Sequence, residues 1–191
     1  MRLGRALLEN RAKGEVKYYD RNSNKGPCLY PPLTGKQVPM QYGGDNFEGY
    51  EAHGGWIAST VELVKFASAF DDPNECPLLK AGSIDRMWGR PRGEAGYESD
   101  HTPKAAYYAC GWSVRPIAKP RKLNAWHNGY ICGTESLLVR RFDGLCWAVL
   151  FNTAKTPQGE SLTDLIDPRL HDAANEVQNW PDDDQFKALL S

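Results

Sequence analysis

No stretch of this chain is long and apolar enough to span a bilayer, which takes about 20 residues. Its opening Met1-Arg2-Leu3-Gly4-Arg5 lacks the apolar core of a secretion signal. There is no C-x-x-C and no H-E-x-x-H, and the four histidines form no i,i+4 pair. The residues therefore spell out neither a zinc site nor any other metal centre. The five cysteines are odd in number and do not make a disulfide framework. Cys110, Cys132 and Cys146 fall in predicted strands and read as buried free thiols. A net charge of -1 gives no electrostatic case for nucleic acid or an anionic membrane as partner. Arg140-Arg141 flanks a turn and reads as a solvated strand end. Repeats and low-complexity tracts are also missing, and nothing calls for a cofactor.

What remains is enough for one domain. The chain has 191 residues, 41% of them hydrophobic, which suffices for a sizeable core. The expected division is a single domain over 1–181, loop-rich to residue 55, followed by an acidic tail over 182–191 that begins Asp182-Asp183-Asp184. Residues 5–19 could hold an extended segment ending in Val16-Lys17-Tyr18-Tyr19. Asp20 to Gly55 is rich in Gly, Pro and Asn. A loop this long is usually functional or packed by its own side chains.

Helix and strand signals follow. Ser59-Thr60-Val61-Glu62 is a capping box, and Leu63, Phe66, Ala67 and Phe70 then recur on one helix face. Gly54-Gly55 before it allows a close backbone approach. A short second helix is expected from Ser83 to about Trp88. Tyr107 to Val114 reads as one aromatic, β-branched strand. Leu123 to His127 begins another, and Thr134–Phe142 and Leu145–Asn152 are strands joined by Asp143-Gly144, a strong hairpin signal. Leu145 to Phe151 is apolar on both faces and should be covered on both. The expected cover on one side is a C-terminal helix, capped by Asp167, with Pro168 first and Leu170, Ala173, Ala174 and Val177 as its stripe. The fold class is α+β, helices packed on an antiparallel sheet.

Three pieces carry a family resemblance: Gly54-Gly55-Trp56-Ile57-Ala58-Ser59-Thr60 with its helix; Cys110-Gly111-Trp112-Ser113-Val114; and Trp126-His127-Asn128-Gly129 with Gly133 and the hairpin after it. From Gly54 to Asn152 the chain resembles the C-terminal part of the serine β-lactamase and penicillin-binding-protein superfamily, in particular its class C-like branch with esterases and D-aminopeptidases. The first piece is similar to that family's small-residue lead-in to a helix, the second to its G-W strand, and the third to its K-T-G or H-x-G box.

The resemblance implies acyl transfer through a serine, activated by the Lys of an S-x-x-K motif and helped by Y-x-N or S-x-N. It puts His127 in the cationic or hydrogen-bonding place of the family's Lys. Gly129 would let substrate lie close to the strand, with Asn128 and Trp126 beside it. The Tyr130 backbone N–H would be one oxyanion donor. The expected ligand is a small acyl substrate: a β-lactam, an ester or a D-amino-acid peptide. His in place of Lys leans toward esterase or peptidase.

Neither S-x-x-K nor Y-x-N nor S-x-N occurs in the sequence, and Lys155-Thr156-Pro157 lacks the Gly of K-T-G. The resemblance thus covers a piece that follows the family's second motif, and the chain alone is expected to be inactive. The family's N-terminal strands, which pair with its last strand, have no counterpart here. The strand at 145–151 is expected to present an apolar edge to an N-terminal partner chain or to a second copy.

Rival readings stand beside these. His127 could be a strand-end histidine bonded to a carbonyl, and His53 a loop residue. Asp45 and Glu51 could be paired carboxylates or solvated loop charges. Tyr107, Tyr108, Trp112 and Trp126 could stack on a ligand or pack the core. The functional readings are a hydrolase portion, a non-catalytic binding module that keeps the cleft wall, or a truncated pseudoenzyme. Compartment is left open; members of the family are often exported.

Overall fold

The computed structural model describes residues 1–117 and 122–185. In chain order the elements are β1 (Arg2–Leu3), β2 (Lys25–Pro27), β3 (Gln37–Pro39), α1 (Phe47–Tyr50), β4 (Trp56–Ile57), α2 (Thr60–Ser68) and α3 (Ala81–Trp88). They continue with β5 (Tyr107–Tyr108), β6 (Ser113–Pro116), β7 (Leu123–Ile131), β8 (Thr134–Arg140), β9 (Cys146–Phe151) and α4 (Leu162–Glu176). The result is α+β, with antiparallel sheets and several helices. The largest sheet has five strands in the order β5-β6-β7-β8-β9. Two compact units divide the chain. One comprises Met1, 58–129 and 136–150; the other comprises 2–57, 130–135 and 151–191, of which 186–191, the end of the expected acidic tail, lie outside the described residues.

The first unit holds an aromatic core. The capping box forms as expected: Ser59 Oγ accepts from the Glu62 N–H at 3.2 Å, and Glu62 Oε2 accepts from the Ser59 N–H at 2.8 Å. It starts α2 so that Ala67 and Phe70 are buried. Phe70 meets Trp88 edge to face at 5.8 Å and Trp112 at 6.3 Å, and Phe66 stacks parallel to Trp112 at 6.3 Å. Ile84 and Trp88, four residues apart on α3, are buried against the same cluster, as are Val114 and Ala125 from the sheet. Such pairs add about 0.5–1.5 kcal/mol each beyond burial.

The aromatic stretch expected as a single strand is a tight hairpin. Gly111 takes φ +76°, and the Ala109 N–H donates to Trp112 O at 2.8 Å, so β5 folds back on β6 with Tyr108 opposite Ser113. Gly111 supplies the left-handed conformation that a strand does not use. Cys110, at the turn, is consequently exposed, contrary to the expected buried thiol, and Cys132 and Cys146 are half-buried. Cys132 lies in the turn between β7 and β8, not in a strand. The fully buried thiol is Cys28.

In the second unit the loop-rich segment is packed by its own side chains. Strands β2 and β3 pair with Gly26 opposite Val38, Cys28 N–H donates to Lys36 O at 2.8 Å, and Ala6, Leu7 and Cys28 are buried. Val16 to Tyr19 makes no strand, only a parallel bridge from Tyr19 to Thr153. Strand β1 pairs with β4, Leu3 opposite Trp56. Gly55 sits where a Cβ would lie 2.6 Å from Phe47 O and 2.8 Å from Glu51 N. Both are backbone atoms and cannot rotate away. Gly55→Ala should destabilise the protein by about 1–3 kcal/mol, read as a lower urea midpoint at unchanged slope.

The terminal helix starts six residues before the expected site. Ser161, not Asp167, is its cap, accepting from the Asp164 N–H at 3.2 Å, and Pro168 lies inside α4. A Pro there removes the bond to the carbonyl of Asp164 at about 3 kcal/mol. The capping serine and its Asp three residues on set the start of the helix. Of the expected stripe, Leu170 and Ala174 are half-buried, Ala173 is exposed, and Val177 is 40% exposed. Among the described residues no helix is long and apolar enough to cross a membrane.

Candidate functional site

Strand β7 begins inside the core and ends outside it. Strand β6 pairs only with Leu123 to Trp126, the last pair being Ser113 with Trp126. From His127 onward, among the described residues, β7 has no strand partner on its β6 side.

Ala125 belongs to the buried cluster. His127, two residues on, is turned instead toward Tyr108, which shares a cross-strand row with Ser113 and Trp126. The Arg115 guanidinium lies 5.4 Å from the Trp126 ring centroid. Gly129 is bare because Ser136 Oγ, across on β8, occupies the place a Cβ would need. His127 and Asn128 are exposed. Tyr108 Oη lies 3.0 Å from His127 Nε2, and the two rings meet edge to face with centroids 5.9 Å apart.

Trp126 to Gly129 belong to the first unit and Tyr130 to the second. Within the second unit the Tyr130 ring is 63% exposed, with Lys155 Nζ 5.5 Å from its centroid. Lys155 also lies 3.5 Å from Glu135 Oε1. Glu135 is buried and accepts from the Thr163 N–H at 3.0 Å and Ser161 Oγ at 3.3 Å, so its charge sits at the start of α4, where the helix dipole favours an anion.

Burial makes two of the thiols, Cys132 and Cys146, poor nucleophiles. Burial, reinforced by the charge of Asp20, pushes the Cys132 thiol up to about 11, so it stays protonated at neutral pH. Burial raises Cys146 as well, with Asp71 adding to it. Among the described residues no three His, Cys, Asp or Glu side chains converge to hold a metal ion. The rival readings of the loop residues also sort out. Asp45 accepts from Tyr50 Oη at 2.8 Å, and His53 packs against Tyr50 at 4.9 Å, while Glu51 is exposed. Tyr107 and Trp112 are core residues, and Tyr108 and Trp126 flank His127.

Two cavities, of about 410 Å³ along 73–81 and about 490 Å³ around Tyr19, Asp20, Arg21 and Lys155, are lined by none of Trp126–Gly129. Sequence reasoning missed Tyr108 as a partner of His127, Ser136 as the reason for Gly129, Lys155 as the neighbour of Tyr130, and Glu135 altogether. Only the aromatic run at 107–108 offered a signal. Comparison with protein families, with curated proteins and with solved structures finds no match.

Proposed function

We propose that this chain forms one wall of a β-lactamase-like serine-hydrolase cleft, with a fold akin to the C-terminal part of the β-lactamase/transpeptidase type. The substrate is a small acyl compound: a β-lactam, an ester or a D-amino-acid peptide. The observation that carries this reading is the stretch of β7 from His127 to Gly129. It combines an exposed imidazole held at Nε2 and a strand edge free of β6. An extended acyl substrate can pair with such an edge while its carbonyl lies beside the histidine.

The chain supplies no activated serine, since S-x-x-K is absent from it. In this reading the serine–lysine pair comes from a partner polypeptide, and acylation happens there. Strand β9, at the end of the sheet and with Leu150 41% exposed, is the edge on which a partner chain or a second copy would add. The absence of an activated nucleophile also supports a second reading, a binding module that keeps the wall without the chemistry.

Turnover separates the two. The chain alone should not hydrolyse a chromogenic ester or cephalosporin. Mixed with a polypeptide bearing S-x-x-K and Y-x-N strands of this family, it should do so, and His127→Ala should lower that rate by roughly 10²-fold, the scale of a lost transition-state hydrogen bond. Ligand-induced protection from thermal unfolding without turnover in any mixture would favour the binding module. Neither turnover nor protection would sink both.

A further inference from the structure

Tyr108 makes the one hydrogen bond to the His127 ring found among the described residues. It is 55% exposed, so burial does not place it; its neighbours do. Tyr107 is buried, donates its hydroxyl to Trp88 O at 2.9 Å and lies 4.3 Å beneath the Arg90 guanidinium. On the other side the Ala109 N–H donates to Trp112 O, and the Cys110 N–H to Met87 O at 3.2 Å. Tyr108, Ser113 and Trp126 form one cross-strand row, and from it the Tyr108 hydroxyl reaches diagonally to the next residue, His127. A rigid frame thus holds an exposed phenol against an exposed imidazole.

We infer that Tyr108 is a positioning residue that sets the tautomer of His127. A phenol keeps its proton at neutral pH. Of the two groups the phenol O–H is the stronger donor and the bare imidazole nitrogen the stronger acceptor, so in the neutral pair Tyr108 donates and Nε2 accepts, which puts the ring proton on Nδ1. Protonation of the imidazole leaves Nδ1–H in place and turns Nε2 into a donor toward the Tyr108 oxygen. In either state His127 offers a ligand an N–H donor and no basic nitrogen. Its complement on a ligand is an acceptor, a carbonyl or carboxylate oxygen, and His127 is not the base that takes a proton from a nucleophile. This last step rests on the proposed hydrolase reading; the tautomer does not.

Long-range ¹H–¹⁵N correlation spectra of the full chain, recorded where the His127 ring is neutral, read the tautomer directly. His127 is assigned by the signal lost in His127→Gln. The expected result is a protonated Nδ1 and an unprotonated Nε2 in the wild type. Tyr108→Phe, which removes only the hydroxyl, should move the ring mainly to the Nε2–H form that a free histidine favours. An Nε2–H ring in the wild type, or an unchanged pattern in Tyr108→Phe with its amide spectrum otherwise retained, would overturn the assignment. If Tyr108→Phe does not fold, the wild-type spectrum alone decides. Loss of the hydrolase reading in turnover assays leaves this result untouched, and an Nε2–H ring would leave the hydrolase reading open, so the two failures are distinguishable.

Discussion

Phe70→Ala should lower the unfolding free energy by about 3–5 kcal/mol, the cost of emptying a well-packed aromatic site. The size follows from where the ring sits. Phe70 is 2% exposed and touches three aromatic rings, Phe66 at 5.3 Å, Trp88 at 5.8 Å and Trp112 at 6.3 Å. Those rings belong to α2, α3 and the turn just before β6, so the gap cannot close by moving one side chain. Phe70→Leu should cost less, because it keeps part of the volume. Denaturant unfolding followed by Trp fluorescence reads both variants, and a loss under 1 kcal/mol for Phe70→Ala would show that the aromatic cluster is not the core of its unit.

Glu135→Leu should have the second largest effect, about 1–3 kcal/mol. Deleting the carboxylate leaves the Thr163 N–H without its acceptor in a buried place and removes the partner of Lys155. Lys155 is partly exposed, so most of the loss comes from the start of α4 and little from the ion pair. Glu135→Gln keeps an acceptor and should recover part of the loss. Amide exchange localises it: faster exchange in the first turn of α4, with α2 unchanged, is the expected pattern. Uniform exchange across the chain would mean that Glu135 supports the whole fold.

Both effects show what the sequence could and could not convey. Periodicity was enough for α2, because Ser59 and Glu62 satisfy each other locally and Ala67 and Phe70 follow at helical spacing. Asp143-Gly144 was enough for the β8–β9 hairpin, where Gly144 takes φ +90° and the Arg141 N–H pairs with Leu145 O at 2.8 Å. The hairpin at Gly111 was not legible, since a Gly in an aromatic run fits a strand with a bulge equally well. Nor was the start of α4. Asp167-Pro168 is a good local signal, and it lost to Ser161, whose neighbourhood also includes the buried Glu135. Glu135 lies 26 residues away in sequence from Ser161, and no local pattern reveals such a pairing.

The site divides in the same way. His127 and Gly129 could be singled out from spacing, since they stand two apart on a strand that leaves the core. The hydroxyl that holds His127 could not, because Tyr108 lies 19 residues upstream and reaches it through two strand pairings. What leaves His127 to Gly129 without a β6 partner is that the pairing stops at Trp126, and strand length is the feature that local sequence specifies least.

The most direct measurement is intact-mass spectrometry after exposure to a penicillin or a fluorophosphonate, on the chain alone and mixed with a polypeptide bearing S-x-x-K and Y-x-N. The account predicts no adduct on this chain in either case, and an acyl or phosphonyl adduct on the partner that forms faster when this chain is present. A stoichiometric adduct on this chain in isolation, or a partner whose labelling is indifferent to the chain, would contradict it.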